Sequence, residues 1–278
     1  MAVKVVTDST SDIPAQLVQE LGITVVPTYV VFGNKSYRDR VDITEDELYE
    51  KLVHDSVHPT TSIPSPQDFA DVYSKLANET DEIISIHVTS KESGLYNSAL
   101  MGKELVKKKC HIEVVDSQLV AMACGIPVIA AAKAAQSGSN LERVADVVRK
   151  SIPQIHLMIF VDTLKYVVRG GRLAKPYGLL GSVLKVRPLL TLREGKLVLT
   201  GVARTRDKAI QRLYDFVMDF PQISEIALSY STDQDDAEAL AERIKAELPN
   251  VPLYLTRIGP VLGTHAGPGA MGVAVREV

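Results

Sequence analysis

Short β-branched runs alternate with amphipathic segments of helical period almost from the first residue. Val3 to Val6 reads as a strand, Thr7 to Asp12 as a polar turn, and Pro14 to Leu21 as a helix, with Pro14 suiting the first turn and Gly22 the stop. A strand from Thr24 to Phe32 meets Gly33-Asn34, a pair that tolerates positive φ and predicts a hairpin into Ser36-Tyr37. Thr44 and Glu47 have the spacing of a capping box opening a helix to Val53. Ser65-Pro66 opens another helix, with Phe69, Val72, Tyr73 and Leu76 on one face. The alternation then becomes regular: strand Glu82 to Val88, helix Leu95 to Lys108, strand Ile112 to Val115, an Ala-rich helix from Gln118 to Ala135, and a helix capped by Asn140. This order predicts an α/β protein whose mainly parallel sheet is covered by helices on both faces.

Past Pro153 the pattern changes. Ile155 to Val161 reads as a strand, Leu189 to Leu192 and Lys196 to Val202 as an antiparallel hairpin turning at Glu194-Gly195, and helices at Thr205 to Phe220 and Asp233 to Leu248 alternate with strands at Ile223 to Tyr230 and Leu253 to Arg257. The expectation is a second, mixed α/β sandwich, with two domains at residues 1–152 and 153–278. The length of 278 residues agrees, at roughly 150 per domain.

Apolar residues make up 46% of the chain, enough aliphatic surface for a core of ordinary size. Thirty-one basic against thirty-four acidic residues leave a formal charge of -3, without the basic excess that nucleic acid binding draws on. Nucleic acid is therefore not expected as a partner. The longest apolar stretch, Leu119 to Ala132, falls short of the roughly 20 residues a membrane span needs and contains Gly125 and Pro127, so it reads as a buried helix. The N-terminus has no export pattern, and the two cysteines, Cys110 and Cys124, form no CxxC or zinc-type spacing. A cytoplasmic protein without a metal or cofactor is expected.

Three loops carry the candidate chemistry. Thr60 to Pro66 and Thr89 to Gly94 are dense in hydroxyls and each precedes a helix, where free N–H groups and positive potential favour an anion. Ile258 to Ala270 surrounds His265 with glycines and prolines and lets backbone approach a ligand closely. Arg169, Arg172, Arg204 and Arg206 are cationic candidates. Each hydroxyl alone is explained by helix capping, and each arginine by exposed charge. The nucleophile elbow, the phosphate loop and the H-E-x-x-H pattern are absent from the sequence. Ser93 with His265 is conceivable as nucleophile and base of a stand-alone hydrolase or phosphotransferase, but no third residue is apparent to orient the histidine.

Seven ordered landmarks resemble those of the DegV family: Asp8-Ser9 with Asp12, Thr61 to Ser65, Ser93 to Ala99, Val115 to Ser117, Arg169 to Arg172, Arg204 to Arg206, and Gly263 to Gly269. The resemblance implies a two-domain α/β protein that holds one long-chain fatty acid between its domains and serves as the lipid-binding, non-catalytic subunit of a bacterial fatty acid kinase. A separate ATP-dependent subunit then makes the acyl phosphate for phospholipid synthesis. It further implies that Thr61 and Ser93 hold the carboxylate with Ser62 and Gly94 beside them, and that His265 and Arg204 approach the head group from the C-terminal half. Leu95 departs from the family's usual threonine and removes one hydroxyl near the head group. Ile126 and Ile129 on the Ala-rich helix are expected along the tunnel wall, and Arg169 and Arg172 at the partner contact.

Overall fold

The structure is a computed structural model that describes residues 2–54, 57–173 and 186–278. Strands β1 (Lys4–Asp8), β2 (Thr24–Val26), β6 (Glu82–His87) and β7 (His111–Asp116) form a parallel sheet in the order β2-β1-β6-β7. The strict period of two sorts its side chains. Ile84 and Ile86 of β6 join the core under α5 (Ala121–Gln136) and α6 (Leu141–Ser151), while Ile83 joins the core under α3 (Pro66–Leu76) and α4 (Leu95–Glu104). Helix α1 (Ala15–Glu20) links β1 to β2. Ser65 and Asp68 close a capping box on α3, Asn140 caps α6, and Thr44 with Glu47 exchanges the expected bonds at the start of α2 (Glu45–His54).

The expected long strand from Thr24 to Phe32 is two strands in two sheets. Pro27, which has no N–H to give a ladder, interrupts it. Thr28 then turns the chain, its N–H donating to Ser9 Oγ at 3.0 Å and its carbonyl accepting from Asp39 N at 2.8 Å. The second piece, β3 (Tyr29–Phe32), pairs with β4 (Lys35–Arg38) and β5 (Thr60–Ser62) in a small antiparallel sheet. Thr60 to Ser62, read from sequence as loop, is thus an edge strand.

From Ile155 onward the strands build a mixed six-stranded sheet in the order β10-β9-β8-β13-β11-β12, from β8 (Ile155–Phe160), β9 (Arg187–Arg193), β10 (Lys196–Ala203), β11 (Ile223–Tyr230), β12 (Leu253–Arg257) and β13 (Met271–Glu277). The β9–β10 hairpin turns as expected, with Glu194 and Gly195 both at positive φ, 50° and 76°. The central strand β13 was not expected, and Pro260–Ala266 of the glycine-rich segment is a helix, α10, rather than loop. A short helix α7 (Lys165–Arg169) follows β8, and α8 (Arg206–Met218) and α9 (Gln234–Glu247) cover the sheet's outer face.

Helix α5 is buried continuously from Met122 to Ala132 because it lies between the two large sheets. One core contains Val5 and Ile84 from the parallel sheet, Ala123 and Ala131 from α5, and Leu157, Ala227 and Ala274 from the mixed sheet. Alanine suits a helix pressed on both sides, since small side chains admit close approach. Among the described residues no helix is long and apolar enough to cross a membrane.

Candidate functional site

Strands β8, β11 and β12 run in one direction, and the elements that follow β8 and β12, namely α7 and α10, stand over the end of the mixed sheet. Loops from the first half meet them there and enclose a cavity of about 350 Å³. Its walls are apolar: Leu157, Ile159 and Val161 from β8 and its end, Leu190 and Leu197 from the hairpin, Gly272 and Ala274 from β13, and Val120 to Ala123 at the start of α5. Thr61, Ser62, Ser93, Glu92, Arg172 and His265 add polar groups.

Several hydrogen bonds set the loops. Ser98 Oγ on α4 donates to Pro64 O at 2.7 Å, joining the Thr61 and Ser93 loops. Gly102 lets α4 come so near α3 that a Cβ would stand 2.7 Å from Pro66 O. Asp116 Oδ1 accepts from Ser90 N at 3.1 Å, holding the Ser90 to Ser93 turn over the end of β7. Across the gap, Glu92 Oε1 accepts from Leu197 N at 3.0 Å, and Glu92 O accepts from Arg172 Nε at 3.2 Å.

Thr61 and His265 meet at 2.9 Å, Oγ1 to Nε2. Nδ1 of His265 is shut off from solvent without a hydrogen-bond partner among the described residues. It lies over Gly170, where any Cβ would stand 2.1 Å away. Burial, reinforced by the nearby positive charge of Arg172 and by His58, pushes the imidazole down to about 3, so it is neutral at ordinary pH. Ser93 Oγ accepts from Leu95 N at 3.4 Å at the start of α4. His265 is bonded to Thr61 rather than Ser93, and among the described residues no carboxylate orients its ring. The nucleophile and base pairing of Ser93 with His265 is not formed among the described residues.

The other sequence candidates fall in different places. Gly94 stands at the N-terminal cap of α4 with its Cα near Ile63, and is not among the lining residues. Arg204 is exposed at the end of β10 and does not line the cavity; the lining arginine is Arg172. Arg169 is exposed on α7. Ile126 and Ile129 are fully buried in the core, because the helix turns them away; the lining residues of α5 are Ala121, Met122 and Ala123. Arg206 is no loose surface charge: Nε reaches Asp236 at 2.5 Å and Nη1 donates to Gly269 O at 2.9 Å, pinning the loop after α10.

Sequence reasoning gave Asp8 and Asp12 only as landmarks and missed the buried groups they join beneath the site. Asp8 accepts from Thr10 N at 3.0 Å and from Thr10 Oγ1, and its other oxygen meets His87 Nδ1 at 2.9 Å, with Ser85 Oγ at 2.7 Å from His87 Nε2. Asp12 Oδ1 takes Gly259 N at 3.1 Å and Arg40 at 2.9 Å, while its carbonyl accepts from Thr256 Oγ1 at 2.8 Å. The Asp8 and Asp12 landmarks thus brace the turn after β1 and the start of α10.

Two sheets packed about a shared helix thus enclose an apolar cavity with a hydroxyl and imidazole at its polar end. The family model described as "Uncharacterised protein, DegV family" matches residues 2–278, and the chain belongs to the DegV family. It is 36% identical to a DegV domain-containing protein of Caldanaerobacter subterraneus subsp. tengcongensis, covering 99% of both chains. Among solved structures it is similar to the fatty-acid-binding DegV family protein of Thermus thermophilus, at 33% identity with 100% of both chains covered and a TM-score of 0.89. It is also similar to DegV of Bacillus subtilis, described as a fatty acid binding protein, at 31% identity, 100% coverage of both chains and a TM-score of 0.89. A stearic-acid-binding protein from Eubacterium ventriosum superimposes with a TM-score of 0.88 at 26% identity, covering 99% of this chain and 98% of that one.

Proposed function

We propose that the protein binds one long-chain fatty acid in this cavity, carboxylate at the Thr61, Ser93 and His265 end, and presents that carboxylate to a separate ATP-dependent kinase subunit in the bacterial cytoplasm for acyl phosphate formation and phospholipid synthesis. The observation that carries the reading is the pairing of an apolar cavity with the 2.9 Å Thr61–His265 bond at its polar end. About 14 methylenes at ~0.8 kcal/mol each give roughly 11 kcal/mol of transfer free energy, against an association cost of about 4 to 15 kcal/mol. The tail supplies affinity, and the hydroxyls fix orientation.

The neutral imidazole explains how Thr61 serves as a donor. With the proton on Nε2, His265 donates to Thr61 Oγ1 and frees the threonine proton for a carboxylate oxygen. The opposite tautomer would consume that proton. A carboxylate, which only accepts, favours the first. Arg172 supplies positive charge beside the head group, and exposed Arg169 stands on the same segment, where the kinase would approach. Ser62 and Gly94 flank the two donors.

Mass spectrometry of the purified protein, native and then denatured, tests the ligand class: a stoichiometric long-chain acid is expected, and a protein that is empty and takes up no added fatty acid overturns the reading. With a DegV-partner fatty acid kinase subunit and ATP, Thr61→Ala with Ser93→Ala is expected to lower acyl phosphate formation more than tenfold. Unchanged turnover overturns the head-group assignment.

A further inference from the structure

Ser229 stands near the end of β11, is 6% exposed, lines the cavity, and has no hydrogen-bond partner for its hydroxyl among the described residues. Strand register explains why it faces the cavity unscreened. Leu190, Ile159, Gly272 and Ser229 pair in turn across β9, β8, β13 and β11, so one row of the sheet runs along the cavity wall. Its first members are aliphatic, and Gly272 beside Ser229 has no side chain to cover it. The next row inward, Leu157 and Ala274, is apolar. Ser229 is therefore a polar atom set in hydrocarbon.

A second lining hydroxyl comes from the turn after β1. Across β12, Ser229 pairs with Thr256, whose Oγ1 donates to Asp12 O and draws the turn after β1 against this end of the strand. Thr10 of that turn also lines the cavity, and its hydroxyl proton is committed to Asp8, so towards an occupant it acts only as acceptor. Ser229 is free to donate or accept. A saturated chain strips any solvent from Ser229 and leaves the hydroxyl unbonded, a state that proteins generally avoid. A hydroxyl on the chain can accept from Ser229 or donate to it.

We infer that Ser229 is the contact for a hydroxyl group carried on the acyl chain, so that the cavity accepts a hydroxylated long-chain fatty acid at least as readily as its saturated parent. The inference rests on the reading of the cavity as a fatty acid site. The test measures affinity of the delipidated protein for stearic acid and for monohydroxystearic acids with the hydroxyl at carbons three, seven, ten and twelve. At least one positional isomer is expected to bind as tightly as stearic acid or more so. Ser229→Ala weakens that isomer about tenfold, equivalent to about 1.4 kcal/mol, and leaves stearic acid within twofold. Ser229→Cys, a near-isostere that is a poor donor, gives the same pattern should the alanine variant fold badly. The inference is overturned if every isomer binds tenfold or more weakly than stearic acid, or if Ser229→Ala weakens all ligands equally. If stearic acid itself fails to bind the unmodified protein, the reading of the cavity fails first and takes this inference with it.

Discussion

Gly170 offers a perturbation of the head-group end that touches no ligand. Its backbone is ordinary, with φ -70° and ψ -8° at the C-terminal cap of α7, so alanine fits it without strain and is expected to favour folding slightly by restricting the unfolded chain. The added Cβ, however, would stand 2.1 Å from His265 Nδ1, 2.9 Å from Cε1 and 3.3 Å from Cγ. The ring must retreat by more than an ångström. Moved that far from Thr61, the 2.9 Å bond lengthens beyond hydrogen-bonding reach. A net loss of about 1 kcal/mol for that bond, plus about 1 to 3 kcal/mol for overpacking, sets the scale. Gly170→Ala should lower fatty acid affinity at least tenfold and lower the unfolding midpoint by an amount worth about 1 to 3 kcal/mol.

Displacement of a fluorescent fatty acid provides the assay, and a double-mutant cycle with His265→Ala provides the proof. Once the ring is absent, the methyl at position 170 has nothing to push, so Gly170→Ala in the His265→Ala background should be silent. Gly171→Ala is the contrasting control: its φ is +75° and a Cβ meets none of the described residues, so it should cost about 1 kcal/mol of stability with affinity unchanged. An unaltered affinity in Gly170→Ala, or an equal loss in both backgrounds, would refute the argument that Gly170 acts by seating His265.

Two further outcomes follow from local geometry. Glu194 occupies the left-handed region in the β9–β10 turn, so Glu194→Asn should raise the urea midpoint by an amount worth about 0.5 to 1 kcal/mol, and a lower midpoint would show that its side chain is needed there. Burial pushes the Asp12 carboxyl from 3.8 up to about 7 against the pull of Arg40, with Asp39 adding to the rise. The folded state then holds the extra proton between those values, so this contribution is present below 3.8 and is lost as pH rises through 7, by up to about 1.4 kcal/mol per unit. His265, depressed to about 3, contributes with the opposite sign: its share is present above about 6.5 and lost as pH falls towards 3. The difference in stability between wild type and Asp12→Asn cancels the histidine, and should shrink from pH 5 to pH 8; a difference that is flat with pH contradicts the raised carboxyl.

What the chain discloses in advance depends on side-chain bulk. β11 and β12 are legible to the residue because aliphatic runs are bounded by turn formers. β13 is not, since Gly272 and Ala274 lack the bulk that marks a strand, and the space they leave belongs to the cavity. The break at Pro27 is visible only once a second sheet exists to receive β3. On α5, burial on every side erases the periodicity that would separate the cavity-facing residues Ala121 to Ala123 from the core residues Ile126 and Ile129. Arg172 and Arg204 look alike as loop arginines; the turn after α7 brings one to the cavity and the end of β10 leaves the other in solvent. Thr61 and His265 stand in contact across 204 positions of sequence, a separation over which no spacing rule operates.

The acidic landmarks and the hydroxyl landmarks do different work. Asp8, Asp12 and Asp116 accept backbone N–H groups of Thr10, Gly259 and Ser90, each at the end of a strand where the ladder has stopped supplying partners. The carboxyl groups of Asp8 and Asp12 are fully buried, so the turns they hold are fixed before a ligand arrives. The lining hydroxyls of Thr61 and Ser93 lie on loops braced in the same manner, through Ser98 and Asp116. Glu92, which lines the cavity, likewise commits Oε1 to Leu197 N, so these acidic groups rigidify the frame while the hydroxyls of Thr61 and Ser93 face the cavity. A neutral His265 beside Arg172 completes an end that, on the proposed reading, orients an anion without trapping it.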